Sequence, residues 1–142
     1  MADSPMIDVA LGRIVIRDDA DRQYIYLVER AGKRGFPIVI GNVEAGEIHR
    51  VLHGIEPERP LTHQLAHSLV EALGAQLRHV DIVDLKHNTF YAQLVLSDEK
   101  GATIAVVDAR PSDAIALALR AKCKIRVAEA VLAQASVENP EN

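Results

Sequence analysis

The sequence contains no tryptophan and a single cysteine, Cys123. One cysteine excludes an intrachain disulfide and fits a reducing compartment. Neighbouring lysines would lower the pKa of an exposed thiol, but we expect Cys123 to be a small buried hydrophobic residue. The N-terminus is acidic and lacks a basic segment followed by an apolar run, so we expect no signal peptide and a cytoplasmic protein. No apolar run approaches the roughly 18 residues that span a membrane.

An excess of positive charge is also absent. The 16 lysines and arginines are outnumbered by 20 acidic residues, which gives a net charge of −4. Because domains that mainly hold a polyphosphate backbone are usually basic, this balance argues against such a role. The acidic charge balance does not exclude an enzyme that binds nucleic acid only transiently. The one dense basic run, Arg120 to Arg126, contacts phosphates in one interpretation. In the interpretation that we favour, it protects a solvated sheet edge.

Common catalytic signatures are missing from the sequence. There is no glycine-rich phosphate loop, no Cys-x-x-Cys, no His-Glu-x-x-His and no Gly-x-Ser-x-Gly. Two histidine pairs have the four-residue spacing of helical metal ligands, namely His49 with His53 and His63 with His67. Neither pair has a third ligand nearby in the sequence. We therefore expect His49 and His53 to lie at a helix end, and His63 and His67 to form a solvated flank.

The composition is that of one globular domain, with 49% hydrophobic and 25% charged residues. Strand and helix patterns come in groups rather than in strict alternation, which favours the α+β class. We predict a single domain over residues 7–135, with a mixed or antiparallel sheet and about four helices packed on it. Residues 1–6 and 136–142 are predicted to be flexible termini.

Strands are predicted from runs of β-branched and apolar residues. Three short strands over 7–16, 24–28 and 36–40 with short links indicate an antiparallel meander, and Gly12 fits a bulge in the first. Further strands are expected over 77–85, 89–96, 103–107 and 124–127.

Helices are predicted from caps and apolar spacing. Asn42 is a suitable N-cap for a helix that ends before Gly54, and Thr62 is a suitable N-cap for a second helix. The second helix carries an apolar stripe of Leu65, Ala66, Leu69, Val70 and Leu73. A short final helix is expected over 129–135.

The most distinctive stretch begins at Asp108. A buried strand ends before it, Pro111 fits the first position of a helix, and residues 114–119 are apolar all round. Asp108, Arg110, Ser112 and Asp113 therefore cluster at the start of a buried helix, where an unpaired polar group costs about 1–3 kcal/mol. Arg110 ties Asp108 to Asp113 as a structural latch in one interpretation, and in the other the cluster is a functional site.

Four separated segments together resemble the bifunctional nuclease domain family. They cover nearly the whole chain, from about Ile7 to Gln134, and occur in the family's order. Asn88 stands where the family commonly has glycine, and Gln64 stands where it often has an acid, which puts a catalytic acid at that position in doubt. The matching segments are Phe36–Ala45 ("LPIWIGxxEA"), Arg59–His63 ("RPLTHDL"), Asp84–Ala92 ("DLxxGTFYA") and Asp108–Ala118.

This resemblance implies a single α+β domain that often self-associates as a dimer or higher homo-oligomer. It also implies nuclease activity on DNA and RNA, which we expect to lack strong sequence preference. The alternative that we keep is a non-enzymatic oligomerisation or regulatory module, in which the stretch from Asp108 to Asp113 is a latch. A third interpretation is small-ligand binding between subunits.

An enzyme that cuts DNA as well as RNA cannot use the 2′-hydroxyl as its nucleophile, so water must attack. A divalent cation held by carboxylates commonly activates that water. We therefore predict that Asp108, Asp113 and Glu44 hold a cation such as Mg²⁺. Arg110 would neutralise the scissile phosphate, and His63 would carry protons. Substrate contacts are predicted for Arg59, Ser112, Arg120, Lys122 and Lys124.

Overall fold

A curved sheet surrounds one buried helix. The computed structural model describes residues 4–17, 19 and 21–136. Within them, seven strands and four helices form one α+β domain, as predicted. The strands are β1 (Met6–Val15), β2 (Arg22–Glu29), β3 (Gly35–Gly41), β4 (Gln76–Lys86), β5 (Thr89–Ser97), β6 (Thr103–Ala109) and β7 (Lys124–Ala128). The helices are α1 (Asn42–His53), α2 (Thr62–Ala72), α3 (Pro111–Ala121) and α4 (Glu129–Ala135).

The strands lie in the order β3-β2-β1-β7-β4-β5-β6. The β4–β7 pair is parallel and every other neighbouring pair is antiparallel. The predicted meander of the first three strands is confirmed, and so is the bulge at Gly12, where the pairing of β1 with β2 shifts between Leu11 and Arg13.

The sheet curls until its two halves meet around α3. Phe36 on β3 and Phe90 on β5 belong to distant strands in the sheet order, yet their ring centroids lie 5.3 Å apart. Helix α3 packs against β3, β4, β5 and β7 as well as against α1 and α2. Because it is enclosed on so many sides, Ala114 to Ala118 are all buried, which confirms the helix without a solvent face. The start of α3 opens toward the site described below.

Both predicted N-caps are displaced by one residue. Gly41 caps α1 and Leu61 caps α2, and neither makes a side-chain capping hydrogen bond. The side chain of Asn42 instead accepts a hydrogen bond from Gln23 Nε2 at 2.8 Å. At α2 the backbone N–H of Leu61 is bound by Gln64 Oε1 at 3.0 Å. The side chain of Asn42 therefore bonds to β2 and does not cap α1.

Helix α2 leaves the three leucines of its predicted apolar stripe exposed. Leu65, Leu69 and Leu73 are 52%, 56% and 85% exposed. The face that packs on the domain presents the buried side chain of His63 with Ala66 and Val70, the two stripe residues that are partly buried. Periodicity alone predicted the helix correctly but not the face that it buries.

The predicted flexible termini lie partly outside the described residues, since residues 1–3 and 137–142 are not described. Next to the first of these, Met6 pairs with Ala128, and Ser4 Oγ accepts a hydrogen bond from the Ala130 backbone N–H at 3.0 Å. Among the described residues, no helix is long and apolar enough to cross a bilayer.

Candidate active site at the start of helix α3

One arginine connects two carboxylates where α3 begins. Arg110 occupies the N-cap position of α3 in extended conformation. Its Nη2 lies 2.7 Å from Glu44 Oε1, and its Nε donates to Asp113 Oδ2 at 2.9 Å. The latch predicted from the sequence, in which Arg110 ties Asp108 to Asp113, is therefore correct for Asp113 and wrong for Asp108. Glu44 of α1 takes the place of Asp108.

The network extends to a histidine and a serine. His63 Nε2 lies 2.9 Å from Asp113 Oδ1, so the start of α2 is fixed to the start of α3. Ser112 Oγ donates a long hydrogen bond of 3.5 Å to Glu44 Oε1. Five of the predicted site residues are thus brought together, although they come from three separate parts of the chain. They are Glu44, His63, Arg110, Ser112 and Asp113.

The guanidinium of Arg110 remains available to a ligand. Its side chain is 68% exposed, whereas the side chain of Glu44 is only 8% exposed. The hydrogen bond to Asp113, with the nearby charges of Asp113 and Glu44, raises the pKa of Arg110, so it stays cationic. Its Nη1 makes no hydrogen bond within the described residues. Free N–H groups on a fixed guanidinium suit two oxygens of one phosphate.

An open groove of about 610 Å³ begins at this guanidinium. One wall is the outer strand β3, and the opposite wall is the β4–β5 hairpin, whose turn residues His87 and Asn88 have positive φ of 50° and 62°. Arg22 adds a second cation to the lining. Arg22 was not predicted as a site residue, because only the curl of the sheet brings the start of β2 near the start of α3.

Asp108 lies on the other side of the sheet. Successive side chains of a strand point to opposite faces. Ala109 pairs with the buried Ala92 and packs on the core, so Asp108, which pairs with Gln93, points outward. The structure therefore does not bring Asp108 to Glu44 and Asp113. Within the described residues, no three His, Cys, Asp or Glu side chains are grouped to hold a metal ion.

The predicted substrate contacts other than Ser112 lie elsewhere. Arg59 is exposed in the loop before α2 and does not line the groove. Arg120 Nε donates to Glu47 Oε1 at 2.9 Å, and the side chains of this ion pair are only 14% and 1% exposed. A carboxylate buried that deeply requires a cation, which draws Arg120 inward and away from the surface.

Lys122 and Lys124 lie beyond the far end of α3. Since α3 has 11 residues, that end is about 16 Å from Arg110. Both lysines line a second groove of about 650 Å³, where Lys124 Nζ lies 3.3 Å from Asp8. The structure does not place them with Arg110 in one site.

The two histidine pairs do not form metal sites in the described part of the chain. His49 and His53 are exposed at the end of α1, as expected, with ring centroids 4.2 Å apart. His63 is buried against Asp113, which contradicts the expected solvated flank. Its neighbour His67 lies 3.8 Å from Glu71.

Comparison with known proteins agrees with the resemblance seen in the sequence. The profile of the bifunctional nuclease domain matches residues 25–140. An uncharacterised protein of Mycobacterium tuberculosis is 43% identical over 136 residues, which are 96% of this chain and 80% of that protein. Bifunctional nuclease 1 of Arabidopsis thaliana is 32% identical over 92 residues, or 64% of this chain and 28% of that protein. The bifunctional nuclease of Oryza minuta is 30% identical over 115 residues, or 79% of this chain and 34% of that protein.

Proposed function

Because the chain belongs to the bifunctional nuclease domain family, we propose that it hydrolyses phosphodiester bonds of DNA and RNA in the groove beside Arg110. One observation carries the proposal. An exposed guanidinium is held by two carboxylates at the mouth of a groove large enough for part of a nucleotide chain. The groove contacts only a short length of strand, which fits low affinity and weak sequence preference.

Arg110 is the residue that we assign to the phosphate. Its Nε and one Nη2 hydrogen are used by Asp113 and Glu44, which fix the plane of the guanidinium. The remaining N–H groups can then meet two phosphate oxygens and stabilise the charge that grows in the transition state. His63 supports Asp113 from behind and does not line the groove, so we propose a positioning role for His63 in place of proton transfer.

Glu44 is the residue that we assign to the attacking water. It lines the groove, and Oε1 accepts from Arg110 and Ser112. Oε2 makes no hydrogen bond within the described residues and can accept a proton from water. A general base must lie within hydrogen-bonding reach of the water that it activates. The groove beside Arg110 offers that position.

The predicted Mg²⁺ site does not fit the residues in this arrangement. Asp108 points to the opposite face, and Arg110 lies between the other two carboxylates and neutralises them both. A cation would need to displace Arg110 or recruit other ligands. We therefore assign no step to a metal, and the assay below includes it as a variable.

The test is a cleavage assay on single- and double-stranded DNA and on RNA, with either Mg²⁺ or EDTA. Wild type is expected to cleave all three substrates, and Arg110→Gln and Glu44→Gln are expected to lose about 100-fold or more. Arg30→Gln, an exposed arginine outside the groove, is the matched control and should stay within about twofold. Unchanged rates in folded Arg110→Gln and Glu44→Gln would reject the site.

Asp108→Asn separates the two versions of the site. The sequence-based ligand set predicts a large loss of activity for it, whereas the structure predicts a rate within about threefold of wild type. Asp113→Asn should be impaired in both versions, since Asp113 holds Arg110. Loss of wild-type activity in EDTA would show that a metal is recruited by an arrangement other than the one described.

The non-enzymatic module is favoured by one specific observation. Arg110 does tie α1 to α3, as a latch would, through Glu44 and Asp113. If that is its only role, well-folded wild type cleaves none of the substrates, and Arg110→Gln lowers the melting temperature without changing any activity.

A further inference from the structure

The basic run of the sequence does not protect a sheet edge. Strand β7, which holds its last residues, is the fourth of seven in the sheet order and is paired on both sides, so the expectation of a protected edge is wrong. Lysine and arginine discourage edge pairing only where an edge is open. Arg120 turns inward to Glu47, whereas Lys122, Lys124 and Arg126 line the second groove. These three cations lie on or beside the middle strand, where edge protection does not explain them.

A histidine lies beside these cations on the outer face of the sheet. Val80 and Ile125 are buried in the core, so the preceding residues on their strands, His79 and Lys124, point outward. His79 is paired with Lys124, and paired residues on neighbouring strands lie about 4.8 Å apart. Both line the second groove, so the fold places an imidazole and an ammonium side by side there.

Hydrogen bonds fix which nitrogen of His79 carries the proton. Arg126 donates to Asp81 through Nε at 2.8 Å and through Nη2 at 2.7 Å, so Asp81 is a carboxylate that only accepts. Nδ1 of His79, which lies 3.0 Å from Asp81 Oδ1, must therefore carry a hydrogen. In the neutral ring this leaves a lone pair on Nε2. That nitrogen makes no hydrogen bond within the described residues and is not enclosed by them, so it is open to a ligand.

The second groove carries an excess of positive charge, although the chain as a whole has a net charge of −4. The carboxylate of Asp8 lines it, and that of Asp81 lies next to it on Arg126. The acidic residues of the β5–β6 turn, Asp98 and Glu99, do not line it. Two positive charges therefore remain after both carboxylates are counted. The cations of the lining are Arg78, Lys122, Lys124 and Arg126.

Two of these cations can turn to a ligand at little cost. Lys122 makes no ion pair in the described part of the chain. Lys124 Nζ lies 3.3 Å from Asp8, but the two side chains are 70% and 40% exposed. Because an ion pair so exposed contributes little stability, an anion can replace Asp8 as the partner of Lys124.

We propose that the second groove binds a phosphate monoester, with its oxygens on Lys122 and Lys124 and one proton shared between an oxygen and His79 Nε2. A monoester carries close to two negative charges at pH 7, which equals the excess in the groove. An imidazole and a phosphate monoester both exchange a proton at about pH 6–7, so either one can supply the shared proton. A diester has a single charge and no proton to share in this range.

The size and the position of the groove fit a separate ligand site. Its volume of about 650 Å³ lies within the roughly 300–1,000 Å³ that is usual for small-molecule clefts. It lies beyond the end of α3 that is far from Arg110. The inference therefore does not depend on nuclease activity in the first groove.

Histidine NMR with small probes tests the proposal. Methyl phosphate and dimethyl phosphate are each titrated at pH 7 into protein with 15N-labelled histidines. Nδ1 of His79 is expected to be protonated in the free protein, and methyl phosphate is expected to shift the Nε2 signal in a saturable way. Dimethyl phosphate should bind at least tenfold more weakly, because it lacks one charge and the proton. Equal binding of the two probes, or no saturable shift up to about 20 mM methyl phosphate, would overturn the proposal.

Variants at exposed positions locate the bound phosphate. By calorimetry, the double variant Lys122→Gln with Lys124→Gln and the single variant His79→Gln are each expected to raise the Kd for methyl phosphate about tenfold or more. Lys33→Gln, an exposed lysine outside both grooves, is the matched control and should stay within about twofold. Circular dichroism checks that every variant is folded. Loss of binding in Arg110→Gln but not in the lysine variant would put the monoester in the first groove and contradict the assignment.

The monoester can belong to a free mononucleotide or to the end of a strand. Adenosine 5′-monophosphate and a 5′-phosphorylated phosphorothioate tetranucleotide both carry it, and tighter binding of one of them identifies the source. The same tetranucleotide without its 5′-phosphate is the control and should bind at least tenfold more weakly than the phosphorylated strand. Equal binding of the strand with and without that phosphate would show recognition of the backbone and overturn the proposal.

Discussion

At the scale of single residues, the groove presents two arginines in different states. Arg110 is fixed by two carboxylates, whereas Arg22 lines the same groove on the outer flank of the sheet. The flexible ammonium of a lysine cannot replace a fixed planar guanidinium where two phosphate oxygens are bound by one side chain. We predict that Arg110→Lys lowers kcat/KM for a DNA oligonucleotide about 10- to 100-fold. Arg22→Lys should lower it less than fivefold, and equal losses would contradict the distinction.

Cys123 is the second residue with a definite expectation. Burial raises the pKa of its thiol to about 11, so the flanking lysines do not activate it. Because the thiolate is the reactive form, we predict that a thiol reagent at pH 7.5 modifies native Cys123 at least tenfold more slowly than it modifies the unfolded chain in urea. Equal rates in both states would show that the thiol is exposed.

The sequence predicted most residues of the candidate site, but it also included residues that lie elsewhere. The spacing from Arg110 to Asp113 is local to one helix start, so it could be predicted, and the family-like segments pointed to Glu44 and His63. Asp108 was included because it is two residues from Arg110, yet strand alternation turns it to the other face. The pairing of Arg120 with Glu47 needed the packing of α1 on α3, which no local pattern contains.

At the scale of elements, α1 and α3 are joined by a buried ion pair. Glu47 is 1% exposed and contacts Arg120 and Arg50. Removing one partner of a buried pair leaves an uncompensated charge. We predict that Arg120→Met lowers the free energy of unfolding by about 3 kcal/mol in urea titrations. The double variant with Glu47→Gln should recover at least half of that loss, and a double variant as unstable as the single one would contradict it.

A second ion-pair cluster joins the β2–β3 turn to α4. Arg34 donates to both Glu29 and Glu129, and these hydrogen bonds lower the pKa of each carboxyl from 4.5. Lowered acid pKa values contribute stability that is present above the ordinary pKa and is lost as pH falls through the lowered one. We predict that Arg34→Gln lowers the melting temperature by about 2–5 °C at pH 7. The difference in melting temperature between Arg34→Gln and wild type should shrink as pH falls from 5 to 3. A difference that stays constant over this range would contradict the role of the two carboxylates.

Helix and strand positions were largely predictable because they depend on local spacing. The bounds of α4 coincide with those predicted, α1 begins one residue earlier than predicted, and the strand ends differ by at most two residues. The buried face of α2 was not predictable from its leucines, since the face that packs holds His63, whose Nε2 lies 2.9 Å from Asp113 Oδ1. Where a polar contact orients an element, hydrophobic periodicity misses the orientation.

At the scale of the whole molecule, curvature of the sheet creates the groove. The strand order and the contact of Phe36 with Phe90 bring together residues that are far apart in the chain. No local sequence pattern predicts either of them. The α+β class followed from the grouping of elements, but the meeting of β3, the β4–β5 hairpin and the start of α3 did not.

The net charge of −4 determines how this groove can meet a polyanion. Among the described residues, only Arg110 and Arg22 supply cations to the groove lining, so we expect few counterions to be released on binding. We expect weak binding, with the logarithm of the association constant falling with that of salt concentration at a slope of about −1.4 to −1.8.

The central claim is that Arg110 contacts a phosphate in the groove. The most direct measurement is the salt dependence of the association constant, compared between wild type and Arg110→Gln. Fluorescence anisotropy with a phosphorothioate oligonucleotide, from 50 to 200 mM salt, gives both values in the absence of cleavage. If Arg110 contacts a phosphate in the groove, the variant binds more weakly and its slope is shallower by about 0.7–0.9. An unchanged slope and affinity in a folded Arg110→Gln protein would show that the guanidinium only ties α1 to α3.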